Sequence, residues 1–159
     1  MKDHFPYIAS IFLLVLFVIV LTSATFAQDF KPANNVNAKD FLGKWQGTFQ
    51  GKVFITVSIT GDAQKLSGTV SKGNVEVNDA GELTKAEGVE GLNTIKSARV
   101  NSNYLRITTK SDDGSEDEID SEMTLVGANQ AELRLIVPLN VPPDIPRPKP
   151  WKLTRVPQP

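Results

Sequence analysis

The chain of 159 residues contains no cysteine and a single histidine, His4. The missing cysteines exclude a disulfide framework, a thiol nucleophile and a thiolate metal site. They also exclude a lipid anchor built on a cysteine behind an export signal. An excess of charge of either sign is missing too: 17 Lys+Arg stand against 18 Asp+Glu, a formal net charge of −1. Counterion release on nucleic acid needs many clustered Lys and Arg, so no nucleic-acid partner is expected. There is no Asn-x-Ser/Thr sequon, no nucleophile-elbow motif and no Walker-type glycine loop. No segment holds a helical apolar period for more than two turns.

One long apolar run is present. Tyr7 to Ala27 is uncharged, with Ile8 to Leu21 as its core. Lys2, Asp3 and His4 precede it, and small Thr25 and Ala27 follow at signal-peptidase spacing. This is the layout of a secretory signal peptide cleaved after Ala27. The competing reading is an uncleaved anchor, because the run approaches the ~20 residues that span a bilayer. Either way the remainder is expected to be exported, secreted or periplasmic, touching a membrane only through that segment if it is retained. A cysteine-free exported domain suits a bacterial envelope. The chain then divides into 1–27 signal, 28–37 linker, 38–156 folded domain and 157–159 tail.

Cleavage removes the only histidine. General acid–base chemistry near neutral pH uses histidine most often, and His-containing triads and zinc sites become impossible. No catalytic residue, metal ligand or cofactor is expected, and the protein is read as a non-enzyme.

Asn37 is placed to cap a single helical turn that ends at Gly43. From there apolar residues recur with period two. Trp45, Gly47 and Phe49 share one face; after a Gln50-Gly51 turn, Val53, Ile55, Val57 and Ile59 alternate with Phe54, Thr56, Ser58 and Thr60. Leu66, Gly68 and Val70 form one face of a third strand. Ser71 to Gly91 is weaker, with short strands around Val75–Asn78 and Leu83–Glu87 or a long loop. Further strands are predicted at Thr94–Val100, Tyr104–Lys110, Asp117–Leu125, Gln130–Val137 and Trp151–Val156. About eight short strands at roughly 8–12-residue spacing describe a sandwich or barrel.

The stretch Lys39-Asp40-Phe41-Leu42-Gly43-Lys44-Trp45 resembles the start of a lipocalin or other calycin. In those families a short helical turn precedes a Gly-x-Trp on the first barrel strand, and a basic residue near the end lies over the Trp. The resemblance implies an all-β, antiparallel up-and-down barrel of about eight strands, closed by a cation–π contact of Arg155 with Trp45. A second resemblance is to small exported β-domains of soil bacteria, through Trp45-Gln46-Gly47-Thr48, Lys65-Leu66-Ser67-Gly68-Thr69 and Leu153-Thr154-Arg155. Together they cover Asn37 to Val156. The chain lacks the lipocalin motifs of mid-sequence and the helix outside the barrel; a proline tract stands in that place.

Three clusters are weighed for function. The acidic run from Asp112 to Glu122 lacks the ligand spacing of a calcium loop and reads as a solvated hairpin leading into a strand whose outer face carries Glu116, Glu118, Asp120 and Glu122. The tract Pro138 to Pro150 reads as a rigid crossing or as a docking ligand through Pro143, Pro146 and Arg147. Trp45, Phe49 and Trp151 are expected to cluster at one barrel end. The inward faces either fill the barrel or line a cavity, depending on strand number and shear. The leading expectation is a binding module for a small apolar or amphipathic molecule contacting Trp45, Phe49, Ile55, Val57, Leu105 and Leu135. The alternative is a protein-interaction domain with a filled core, meeting an envelope partner through its outer face and proline loop.

Overall fold

A computed structural model describes residues 36–111, 118–138, 141–142 and 144–157. Residues 1–35, which hold the segment read as a signal and most of that read as a linker, residues 112–117 of the acidic run, and Pro143 of the proline tract lie outside the described residues. A 3-10 turn, Ala38–Phe41, leads into β1 (Gly43–Phe49), β2 (Lys52–Gly61), β3 (Leu66–Lys72), β4 (Val75–Val77), β5 (Leu83–Ala86), β6 (Asn93–Asn101), β7 (Tyr104–Ser111), β8 (Glu118–Gly127), β9 (Gln130–Ile136) and β10 (Trp151–Arg155). Eight of these strands close an antiparallel barrel in the order β1-β2-β3-β6-β7-β8-β9-β10, with β10 returning to β1; β4 and β5 form a separate two-stranded sheet. The all-β, antiparallel up-and-down barrel that the lipocalin likeness implied is the fold observed.

The turns are where the chain carries its special backbone angles. Gln50 and Gly51 take φ of 50° and 79°, the pair of positive angles that lets a two-residue loop match strand twist. Asp62 closes the β2–β3 turn by accepting bonds from the N–H groups of Gln64 and Lys65 at 2.8 and 3.0 Å, an Asx-type turn. The helical turn before β1 is fixed by the Asp40 carboxylate, which accepts the Asn37 N–H at 2.8 Å.

The interior collects one face of every barrel strand. Trp45, Val57, Leu105, Ile107 and Met123 are fully buried, and Ile55, Ile59, Leu133 and Leu153 nearly so. One departure from strict alternation matters. Gly47 pairs with Ile55 and Thr48 with Val53, so Phe54 has no residue opposite it. This bulge adds one residue to β2 and turns Phe54 inward beside Ile55, although alternation places it outside. Gly47 makes the space: a Cβ there would lie 2.7 Å from Ile55 and 3.2 Å from Phe54.

Both ends are covered. At one end Phe41, carried in by the 3-10 turn, is fully buried with Trp45, and the Trp45 indole N–H donates to the Phe41 carbonyl at 2.9 Å. At the other end the β4–β5 hairpin packs Val75, Leu83 and Ala86 against the core. The proline crossing between β9 and β10 runs over this hairpin. Lys149 donates its N–H to the Gly81 carbonyl at 2.8 Å and its ammonium pairs with Glu82 at 2.8 Å. Gly81 admits it, because a Cβ there would sit 2.1 Å from the Arg147 carbonyl.

On β3, Gly68 holds φ of 142°, and a Cβ would fall 1.9 Å from the Ser58 carbonyl oxygen. Gly68→Ala is therefore expected to lower the unfolding free energy by about 2 kcal/mol or more, read as a fall in the urea midpoint with an unchanged slope.

Candidate functional site

The three groups of residues proposed from sequence fall in three different places. The first is the closure. Arg155 on β10 lies opposite Trp45 on β1, with its guanidinium carbon 4.3 Å from the Trp45 ring centre. The same guanidinium donates to the carbonyls of Leu42 at 2.9 Å and Asp40 at 2.5 Å. One side chain thus holds the last strand, the first strand and the plug turn together. Its Nε is buried without a partner among the described residues.

The second group is the inward-facing set. Trp45, Ile55, Val57 and Leu105 are each 0–1% exposed, so no void that admits water touches them. Phe49 and Leu135 are half-buried and packed against the same core. A cleft of about 730 Å³ lies outside the barrel between the plug turn and β6. The inward residues come together as a filled core.

The two tryptophans do not cluster at one end, as the sequence suggested. Trp45 sits under Arg155 at the last residue of β10, whereas Trp151 begins that strand and packs edge-to-face on Phe54 with ring centres 5.4 Å apart. The reason is the length of β10: four steps of ~3.3 Å, from position 151 to position 155, separate the two indoles along the barrel wall. The Trp151 indole N–H is buried and has no acceptor among the described residues. Near this end Lys72 also faces inward in phase, opposite Ile55. Its ammonium has the Gly73 carbonyl at 3.3 Å, and burial pushes it below its ordinary 10.5. Sequence reading missed Phe54, Phe41 and Lys72. A glycine inside β1 was the available signal for the bulge that turns Phe54 in.

The third group is the proline crossing. Pro146 is half-buried and Arg147 exposed, while Ile145 is 49% exposed. The crossing is a strap fastened at Lys149, which agrees with its reading as a rigid connection, and it leaves Ile145 and Arg147 facing solvent.

The carboxylates of β8 resolve into a lattice of ion pairs on the outer wall. Arg106 on β7 pairs with Asp120 at 2.8 Å and Glu122 at 3.7 Å; Arg134 on β9 also pairs with Glu122, and Lys96 on β6 with Glu118. Thr108 adds a hydroxyl bond to Asp120 at 2.7 Å. The Arg106 bond, with that of Thr108, holds the Asp120 carboxyl below its ordinary 3.8.

The geometry defines a closed eight-stranded barrel with a cation-capped tryptophan at one end, consistent with the likeness to lipocalins. The chain matches no protein-family model, no curated protein and no solved structure, so that likeness rests on the barrel and its end motifs.

Two measurements follow from these contacts. Arg155→Lys keeps a cation but loses the fork that reaches both carbonyls; stability is expected to fall by about 1–3 kcal/mol in urea unfolding. A carboxyl whose folded pKa is depressed adds stability above its unfolded value and loses it as pH falls through the folded one. The stability gap between the natural chain and Asp120→Asn is therefore expected to be constant above about pH 5 and to close as the pH falls below 3.8. The exposure of the pair keeps the gap small, and acid titration of thermal unfolding reads it.

Proposed function

We propose that this protein is an exported, non-catalytic binding module that engages an envelope partner through its outer surface. The observation that carries this reading is the distribution of apolar surface. The interior is packed, while Val89, Leu92, Ile119 and Ile145 are 40–49% exposed. These four belong to the β5–β6 connection, the start of β8 and the strap, all at the hairpin end of the barrel. Exposed apolar residues gathered at one end mark an interaction surface more often than scattered ones. Arg147 beside Ile145 adds a cation to that end. Export rests on the apolar leader of Tyr7 to Ala27.

A second reading, a carrier of a small apolar or amphipathic molecule, has its own observation. The Trp151 indole N–H lacks an acceptor, and a buried donor left unpaired costs about 1–3 kcal/mol. A ligand carbonyl or carboxylate would supply the acceptor. Such a ligand has to displace packed side chains to enter.

A photo-cross-linking residue placed at Ile145, with Val126 at the far end as control, separates the two in an exporting bacterial host. Cross-links to an envelope protein are expected from position 145 and not from 126, and Pro143→Ala, Pro146→Ala and Arg147→Ala together should abolish them. No cross-link, together with a small molecule that leaves the purified protein on denaturation in native mass spectrometry, would overturn the surface reading and favour the carrier.

A further inference from the structure

The barrel is closed by pairing, but not equally at every joint. β2 and β3 pair over seven positions, from Ile55↔Lys72 to Gly61↔Leu66. β3 and β6 pair only at Thr69↔Thr94 and Val70↔Asn93. Below that point the two strands part. The cause is local on both sides. β6 carries a bulge between Ile95 and Ser97, which bends the strand away, and β3 carries Gly68 at φ 142° on the same level. Between them lies the cleft of about 730 Å³, lined by Leu66, Ala98 and Val100 and bounded by Val36, Lys39 and Arg99.

The free edge of β6 is defined by its other neighbour. Asn101 and Tyr104 flank the two-residue turn of the β6–β7 hairpin, so theirs is a hydrogen-bonded pair, as is Arg99↔Arg106 two residues on. Residues at the alternate positions point their N–H and C=O groups away from β7. Those are Ala98 and Val100, and both face the cleft. A main chain already approaches this edge at its foot, where Val36 donates its N–H to the Ser102 carbonyl at 3.3 Å. The charged groups lining the cleft are both cations, Lys39 and Arg99, and among the described residues neither has a carboxylate partner.

We propose that the seam between β3 and β6 is a strand-addition site, which takes an extended, acidic segment of a partner protein. The segment would pair with the Ala98 and Val100 backbone, set alternate apolar side chains toward Leu66 and present carboxylates to Lys39 and Arg99. Main-chain bonds supply affinity and the alternate side chains supply selectivity, as in other sheet-edge complexes. The inference rests on the reading that the protein binds through its outer surface, and it adds a second contact at the plug pole, apart from the one at the hairpin end.

The test uses the protein as recovered from the exporting host and a peptide of about seven residues that alternates valine with glutamate, long enough to run the length of the open edge at ~3.3 Å per residue. Amide hydrogen exchange at Ala98 and Val100 is expected to be fast in the free protein and to slow by at least about tenfold with the peptide. Exchange at Ile107 should not change. Arg99→Glu, an exposed substitution that leaves the fold intact, should weaken the peptide several-fold and favour a lysine-bearing counterpart. Absence of peptide protection overturns the proposal. So does protection already present in the free chain, whether constant, which points to the protein's own preceding segment, or rising with concentration, which points to a second copy. Cross-links from position 145 that persist in any of those cases leave the surface reading standing while the seam fails.

Discussion

The fold depends on one junction, the pairing of β10 with β1. An antiparallel barrel has no edge only if its last strand finds its first. Here that joint shows only Trp45↔Arg155 and Gln46↔Thr154 in register. Hydrogen bonds alone make this a short join. Arg155 strengthens it by stacking on Trp45 and by donating to two carbonyls of the plug turn. The Trp45 indole answers with its own bond to Phe41. Closure, plugging and the entry of the first strand are therefore one event in this molecule.

That junction also sets what the interior can be. Trp45 and Phe41 fill the barrel from one end, and the β2 bulge turns Phe54 in toward Trp151 at the other. With the β4–β5 hairpin packed across and fastened by the strap, little remains for a guest. A filled barrel is a rigid scaffold whose useful surface is outside. The ion-pair lattice of β6 to β9 covers one part of that surface with paired charge. Exposed apolar residues lie at the hairpin end, and two cations without a carboxylate partner among the described residues line the β3–β6 seam.

Much of this was legible in the amino-acid sequence. Period-two runs such as Val53 to Ile59 and the turn signals between them were enough for strand number and fold class, because half-buried strands must alternate. The Arg155–Trp45 contact came with the likeness to lipocalins and stands in the geometry. Three features were not legible. Strict alternation has no place for an extra residue, so Phe54 was set outside. The docking of Lys149 on Gly81 and Glu82 joins segments 67 residues apart, and no local pattern announces it. Whether inward residues fill or line the barrel depends on pairing between strands and on Phe41, which belongs to no strand. The separation of the tryptophans follows from the length of β10.

The strap and the plug lie at opposite poles, and this gives the molecule a direction. Val36 enters beside the plug, and the chain leaves beside it through Val156, whose N–H donates to Lys44. Whatever is joined to the domain along the chain is joined at that pole. The hairpin and strap then point outward from the point of attachment. A body of this kind presents the same face on every copy, so its orientation relative to whatever it is joined to would be set by chain connectivity alone.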